Sequence, residues 1–409
     1  MMIGMRIASF FVTITNLSIV YIFVVWTSVS NDNVHFKSIV HESCKEAADL
    51  PAPVKREENA ASYLYTRHGN SHLPLEILKD EHLAPLTRWT QTIIYKHQHP
   101  TDCDKVKFLI TDGWDSGFGS EMHVVGSHLA YAIENNLVLV WGHSSCKRFV
   151  NCTQGCACLY RELSNCSSSV DFSQWNTVRH SEFNNVIPGV FKNAMISHIP
   201  SVTDHEMRYW WRAQSVGFIM RLNDETVEEL SVMRQTPGLQ YMSGGQVVPF
   251  PLPSGTVNAH IRHGDKFMEM TLVPSEAYAQ AFTSMIQNMP NSFSRMLFVS
   301  SDDQKAINTC RELVENQKMT YIYTNISRMG GGHQMSEWDR SRNGMQRKII
   351  LGHILQLFMA LEADAWIGTR GSNWNRLIDE LRCVWIDKCQ NMYVEVGTIS
   401  QESLGYYNW

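Results

Sequence analysis

The chain has 409 residues, too many for one ordinary domain and enough for two. Hydrophobic residues make up 44% and charged residues 18%, which excludes a chain disordered throughout. A net charge of −5, with no long Lys/Arg run, excludes the basic face that a polynucleotide needs; a small anion requires only a few local cations.

The first predicted element is a membrane anchor. From Ile7 to Thr27 the chain carries no charge, and its length suits a helix across a bilayer. Arg6 precedes it and Asp32 follows, so positive-inside logic keeps the tail 1–6 cytosolic and the anchor 7–28 in the type II orientation. A cleaved signal peptide is the rival reading, although its apolar core is shorter. Both deliver the remainder to the secretory pathway, and a single-pass Golgi protein with a lumenal body is the expectation. Residues 29–95 are polar, contain Pro51 and Pro53, and form a stem with a helix near 75–97.

Ten cysteines follow the same logic. Five fall between Cys146 and Cys166; in an oxidising lumen such a cluster is a disulfide knot rather than a metal site. Cys146, Cys152, Cys156 and Cys158 allow three connectivities. Sequons stand at Asn151, Asn165 and Asn325.

A strand begins at Phe108. It runs through "TDGWDSGFGS" into a helix at "EMHVVGSHLAYAIENN" and a second strand, "LVLVW". Alone, "GFG" is a plain turn. From Thr256 the alternation is regular. Strands "TVNAHI", "MLFV", "TYIY", "AWIG" and "CVWI" are separated by helices from about Ser275, after Asp302, over 343–362 and near Ser372. This pattern predicts a parallel sheet with helices on both faces and a ligand beyond the strands' carboxyl ends. "RHGDK", "SSDD" and "TRGSN" each follow a strand and should converge on one rim.

The densest of these loops lies in "HIRHGDKFMEM", residues 260–270. Arg262 offers a planar fork for phosphate oxygens, and Lys266 a compact charge. Ser372 and Asn373 open a helix, whose free N–H groups also favour an anion. A diphosphate suits the set. Asp265 and Glu269 are carboxylates beside the cations, and either could act as a general base. His260 lies in the strand, where a hydrogen-bonded core role is the plain reading. "RHG" also opens the histidine-phosphatase signature. Lys266 takes the place of its second Arg, however, and neither His333 nor His353 is followed by an acid, so that reading is set aside.

Four stretches together resemble a known family. "HPTDCDKVKFLI" with "GFGSEMH", "WWRAQSVGFIMRLNDETVEEL" (Trp210 to Leu230), "HIRHGDK" and "TRGSNWNR" resemble, in order, segments of the core α1,6-fucosyltransferases of N-glycans and, more distantly, of the rhizobial nodulation fucosyltransferases. The resemblance spans about His99 to Arg382. It implies an α/β, two-lobed GT-B-like fold, with an acceptor-side lobe over 96–250, a Rossmann-like donor lobe over 251–395 and a tail over 396–409. The long second stretch, Trp210 to Leu230, resembles an amphipathic helix joining the lobes. The reaction implied is inverting transfer from GDP-fucose to a glycan, without cofactor or metal; another GDP-sugar transferase such as a protein O-fucosyltransferase, or an inactive lectin of the same fold, is the alternative.

By matching positions, Arg262 clamps the β-phosphate with Ser372, Asn373 and the Gly119 backbone. His260 touches the nucleoside, Asp265 supports the donor site, and Lys266 and a nearby Glu handle the incoming hydroxyl; Glu269 is the Glu nearest the matched position. Cys103 is implied to pair with Cys166; Cys383–Cys389 is the near pair expected from spacing. The family's Glu aligns with Met270, one residue beyond Glu269. Gln356 stands where the vertebrate enzymes carry an Asp that reads guanine. Asn373 replaces a Gln, and Gly368 and Asn375 replace flanking cysteines.

Overall fold

The structure is a computed structural model. It describes residues 85–112, 116–147, 149–150, 152–170, 186–268, 270–328 and 345–397. The expected anchor and most of the stem lie outside the described residues. No helix among the described residues is long and apolar enough to cross a membrane.

The first half is helical around a small sheet. Helix α1 (Pro85–Gln98) leads to strand β1 (Lys107–Thr111), helix α2 (Phe118–Glu134) and strand β2 (Leu137–Trp141). The two strands pair in parallel across the α2 crossover. Helices α3 (Gly189–His198), α4 (Asp204–Ile219) and α5 (Asp224–Gln235) follow. Thr203 and Glu206 close a reciprocal capping box on α4, at 3.3 Å and 2.7 Å.

The expected single helix over 210–230 is two helices. Between them the backbone leaves the helical path to pair elsewhere. Arg161 N–H donates to Arg221 O at 2.7 Å, and Asn223 N–H to Leu159 O at 3.1 Å. The Asn223 side chain then caps α5. Nor is α4 amphipathic: its second half, Ala213 through Ile219, is wholly buried.

The second half alternates. Strand β3 (Gln240–Met242) is followed by β4 (Val257–Ile261), helix α6 (Ser275–Asn288), β5 (Met296–Ser301), α7 (Gln304–Asn316), β6 (Thr320–Thr324), α8 (Met345–Glu362), β7 (Ala365–Gly368), α9 (Asn373–Val384) and β8 (Tyr393–Glu395). The sheet order is β3-β6-β5-β4-β7-β8, all neighbours parallel except antiparallel β3. Residues 240–242 therefore belong to this sheet, ahead of the expected lobe boundary at 251.

"CVWI" is not a strand. Leu377, Ile378, Leu381 and Val384 are buried at helical spacing. They carry α9 through Val384 onto α4, where a Cβ on Gly217 would come within 2.6 Å of Val384. The Trp385 indole donates to Gly217 O at 3.0 Å. The last strand lies further on, at Tyr393–Glu395.

Alternation along the strands divides the core. Val257, Ala259, Ile261, Leu297, Val299, Ala365 and Ile367 face α6 and α7. Phe298, Ile322 and Trp366 face the other side, in a core shared with α8, α9 and the first-half helices. In β4 the intervening residues are polar: Asn258 and His260 are buried on the α8–α9 side. That face is where the candidate site forms.

Candidate functional site

The loops after β4, β5 and β7 meet at the carboxyl ends of their strands. Arg262 forms an ion pair with Asp302 and donates to His263 O at 3.2 Å. Asp302 also accepts from His263 N–H at 3.0 Å, so one carboxylate holds both the guanidinium and the turn behind it. Gly264 makes that turn possible. Its φ is +44°, and an added Cβ would sit 2.6 Å from the Arg262 guanidinium. A short 3₁₀ helix, Gly264–Met268, follows. Lys266 is buried within it, 4% exposed. Glu269 lies outside the described residues, and so does the Asp265 side chain.

Met270, which aligns with the family's Glu, packs against the next loop: a Cβ on Gly371 would meet its Sδ at 2.7 Å. Asp302 was not singled out from the sequence. Its signal was "SSDD" at a strand end, opposite the basic loop.

The β7 loop supplies a helix N-terminus. Ser372 caps α9, accepting from Asn375 N–H at 3.4 Å. The Asn375 amide donates to His260 O at 3.2 Å and ties the cap to β4. The Asn373 Nδ2 donates to Ser120, and its Oδ1 meets His123 Nδ1 at 3.1 Å. Gly119 lets the first turns of α2 and α9 touch: a Cβ there would lie 3.0 Å from the Asn373 carbonyl carbon and 3.1 Å from Trp374 N. Two helix N-termini thus lie together beside Arg262's loop. That arrangement favours a multiply charged anion.

Ionic groups lock the seam behind it. His123 meets Glu380 at 2.9 Å, and Arg212 pairs with the same carboxylate. Burial would raise the Glu380 pKa, but His123 and Arg212 outweigh it and hold the carboxylate below its usual range. Burial lowers His123 despite Glu380. Arg370 and Arg382 share Asp379, at 3.1 Å and 2.6 Å.

Glu395, another residue unread in the sequence, ends β8. It accepts from Arg370 N–H at 2.8 Å, which fixes the β7 loop. Burial pushes its carboxyl up to about 7, against the pull of Arg370.

His260 and Gln356 lie on the α8 side of the sheet. His260 Nδ1 meets Ser300 Oγ at 2.8 Å across the β4–β5 register. Burial, with Arg262 and His353 adding repulsion, lowers its pKa to about 3. Gln356 is 1% exposed and donates to Thr324 Oγ1 at 2.7 Å.

Disulfides join Cys103–Cys166, Cys146–Cys156, Cys152–Cys158 and Cys383–Cys389. Asn165 and Asn325 are exposed, and Asn151 lies outside the described residues. Among the described residues the one group spaced to hold a metal is Glu121, Cys146 and Cys156. Its sulfurs are bonded to each other, and Glu121 accepts from Cys146 N–H at 2.9 Å.

No protein-family model and no curated protein matches the chain. Among solved structures it is similar to NodZ alpha-1,6-fucosyltransferase soaked with GDP-fucose, at 12% identity and a TM-score of 0.38, over 68% of this chain and 93% of that one. It is also similar to POFUT1 in its apo form, at 10% identity and a TM-score of 0.37, over 73% and 99% of the two chains. POFUT1 in complex with GDP is similar at 12% identity and a TM-score of 0.34, over 73% and 100%.

Proposed function

We infer that the chain is an inverting fucosyltransferase that moves fucose from GDP-fucose to a glycan, forming an α1,6 link to the core GlcNAc of N-glycans. The observation that carries this reading is the meeting of Arg262's loop with the paired N-termini of α2 and α9. It assembles, from segments far apart in sequence, the groups that the family resemblance assigns to a diphosphate. In the reaction the acceptor oxygen bonds the anomeric carbon as the bond to the β-phosphate oxygen breaks. Charge grows on the diphosphate, where a fixed guanidinium and free helix N–H groups stabilise it most. Glu269 takes the acceptor's proton, and Lys266 supports the charge nearby. The uncharged stretch Ile7–Thr27 and four disulfides support a Golgi location, with a type II anchor and a lumenal body.

A donor screen with the detergent-solubilised full chain and released N-glycans tests this. Transfer from GDP-fucose, and not from UDP-sugars, is expected; use of a different nucleotide sugar alone would overturn it. Linkage analysis of the product then decides α1,6. One observation favours a second reading, a sugar-binding protein without turnover: Met270 fills the family's Glu position and packs on Gly371. Glycan binding with no nucleotide binding in calorimetry would establish that alternative.

A further inference from the structure

Gln356 occupies the position from which the related vertebrate enzymes read guanine, yet its amide is already engaged. The nitrogen donates to Thr324 Oγ1 at 2.7 Å, on the carboxyl end of β6. That assignment turns the oxygen toward His353, one helical turn earlier on α8, whose ring hydrogen-bonds the Gln356 side chain. At 1% exposure, with its nitrogen turned to Thr324 and its oxygen to His353, Gln356 is withdrawn from the surface that a base would meet.

The groups in front of it do. His353 is only partly buried and stands edge-on to Trp374, with ring centroids 6.2 Å apart. His260 lies against the other side of the same cluster, 6.1 Å from Trp374. The cluster sits over the carboxyl ends of β4, β5 and β6, where a parallel sheet takes its ligand. Burial and the nearby Arg328 keep His353 neutral. One of its ring nitrogens donates to Gln356, so the other carries a lone pair. The Trp374 Nε1–H and His260 Nε2 are shielded from water and have no hydrogen-bond partner among the described residues. Two such orphans in one aromatic cluster are unusual in a folded protein and point to a bound group that completes them. The set offers one indole donor beside imidazole acceptors. A guanine edge offers the complement: an O6 acceptor beside N1–H and N2–H donors.

We propose that the donor's guanine is read by His353 and Trp374, and that Gln356 is the positioning residue that orients the His353 ring. His353 accepts from the N1–H and 2-amino edge, and the Trp374 indole donates to O6. This rests on the proposed use of a guanosine diphosphate sugar. It assigns the base contacts to residues that the family resemblance does not mark.

Calorimetry of the full chain with GDP and with inosine diphosphate, which lacks only the 2-amino group, tests it. The unaltered protein should favour GDP. His353→Ala should lower GDP affinity about 10- to 100-fold, the range for orphaning one hydrogen-bonding group. It should also erase the GDP preference while leaving inosine diphosphate less affected. Trp374→Phe should weaken both nucleotides together, since both carry O6. Gln356→Ala should shrink the GDP preference, and a purely structural lesion would weaken the two ligands equally. The inference is overturned if His353→Ala and Trp374→Phe keep native GDP affinity and preference. If the unaltered protein binds no guanosine nucleotide, the donor reading falls as well, and this inference with it. Thermal unfolding of each variant separates lost contacts from lost fold.

Discussion

At the scale of single residues, geometry matters as much as charge. Arg262 is held by Asp302 and by the Gly264 turn, so its fork is oriented before any ligand arrives. Arg262→Lys keeps the charge but loses the fork. Turnover should fall about 10²–10³-fold, the usual cost of one oriented transition-state donor, and Arg262→Ala should be worse. Gly264→Ala tests the same point without touching the charge. The new Cβ would meet Asp302 and Arg262 in a backbone conformation that alanine resists, so kcat should drop while the far side of the molecule stays folded. Steady-state kinetics with circular dichroism would check both. Glu269→Gln should depress turnover about 10²–10⁴-fold and leave GDP affinity nearly unchanged, as expected of a positioned base. Loss of turnover in Asp265→Asn alone, with affinity intact, would move that role to Asp265. The basic half of the site was legible because cations at a strand end are conspicuous. Asp302, Trp374 and Glu395 were not, because each owes its role to neighbours distant in the sequence: Arg262 and His263 for Asp302, Gly119 for Trp374 and Arg370 for Glu395.

At the scale of elements, periodicity was a reliable guide wherever an element is buried on a regular stripe. The five parallel strands β4 to β8 illustrate both outcomes. Four coincide with apolar runs, but "CVWI" is the end of α9 and the residues just after it, apolar because Val384 and Trp385 pack on α4 at Gly217; helix and strand look alike over four such residues. The break between α4 and α5 was hidden for a different reason: it is imposed by backbone pairing with Leu159–Arg161, which no local pattern announces. Strand β3 has three residues, too short for alternation to show. One long-range contact holds these elements together. Arg234 of α5 and Glu362 of α8 pair at 2.8 Å with both side chains 0% exposed, and Glu362 also accepts from Leu252 N–H at 2.8 Å. Removing one partner leaves a buried charge uncompensated. Glu362→Ala should therefore cost about 3–5 kcal/mol in denaturant unfolding, and Arg234→Met with Glu362→Leu together should recover much of it.

At the scale of the whole molecule, buried titratable groups set the response to pH. Burial lowers His260 to about 3, and His353 and His99 to about 4. In the unfolded chain each titrates near 6.5. Between about 4 and 6.5 the unfolded state thus binds more protons at these three sites, and stability rises with pH across that window. Glu395 runs the other way. Its folded carboxyl titrates at about 7, above its unfolded value of 4.5, so between those values the folded state holds the extra proton and stability falls as pH rises. Three groups outnumber one, so net stability should climb from pH 4.5 to 6.5. Glu395→Gln removes the opposing slope and should make the climb steeper. It should also keep the Arg370 N–H bond that positions the β7 loop, since an amide oxygen still accepts. Denaturant unfolding at four pH values between 4.5 and 7.5 checks this. A shallower climb in the variant would mean that Glu395 is already ionised in the folded protein, with Arg370 outweighing burial.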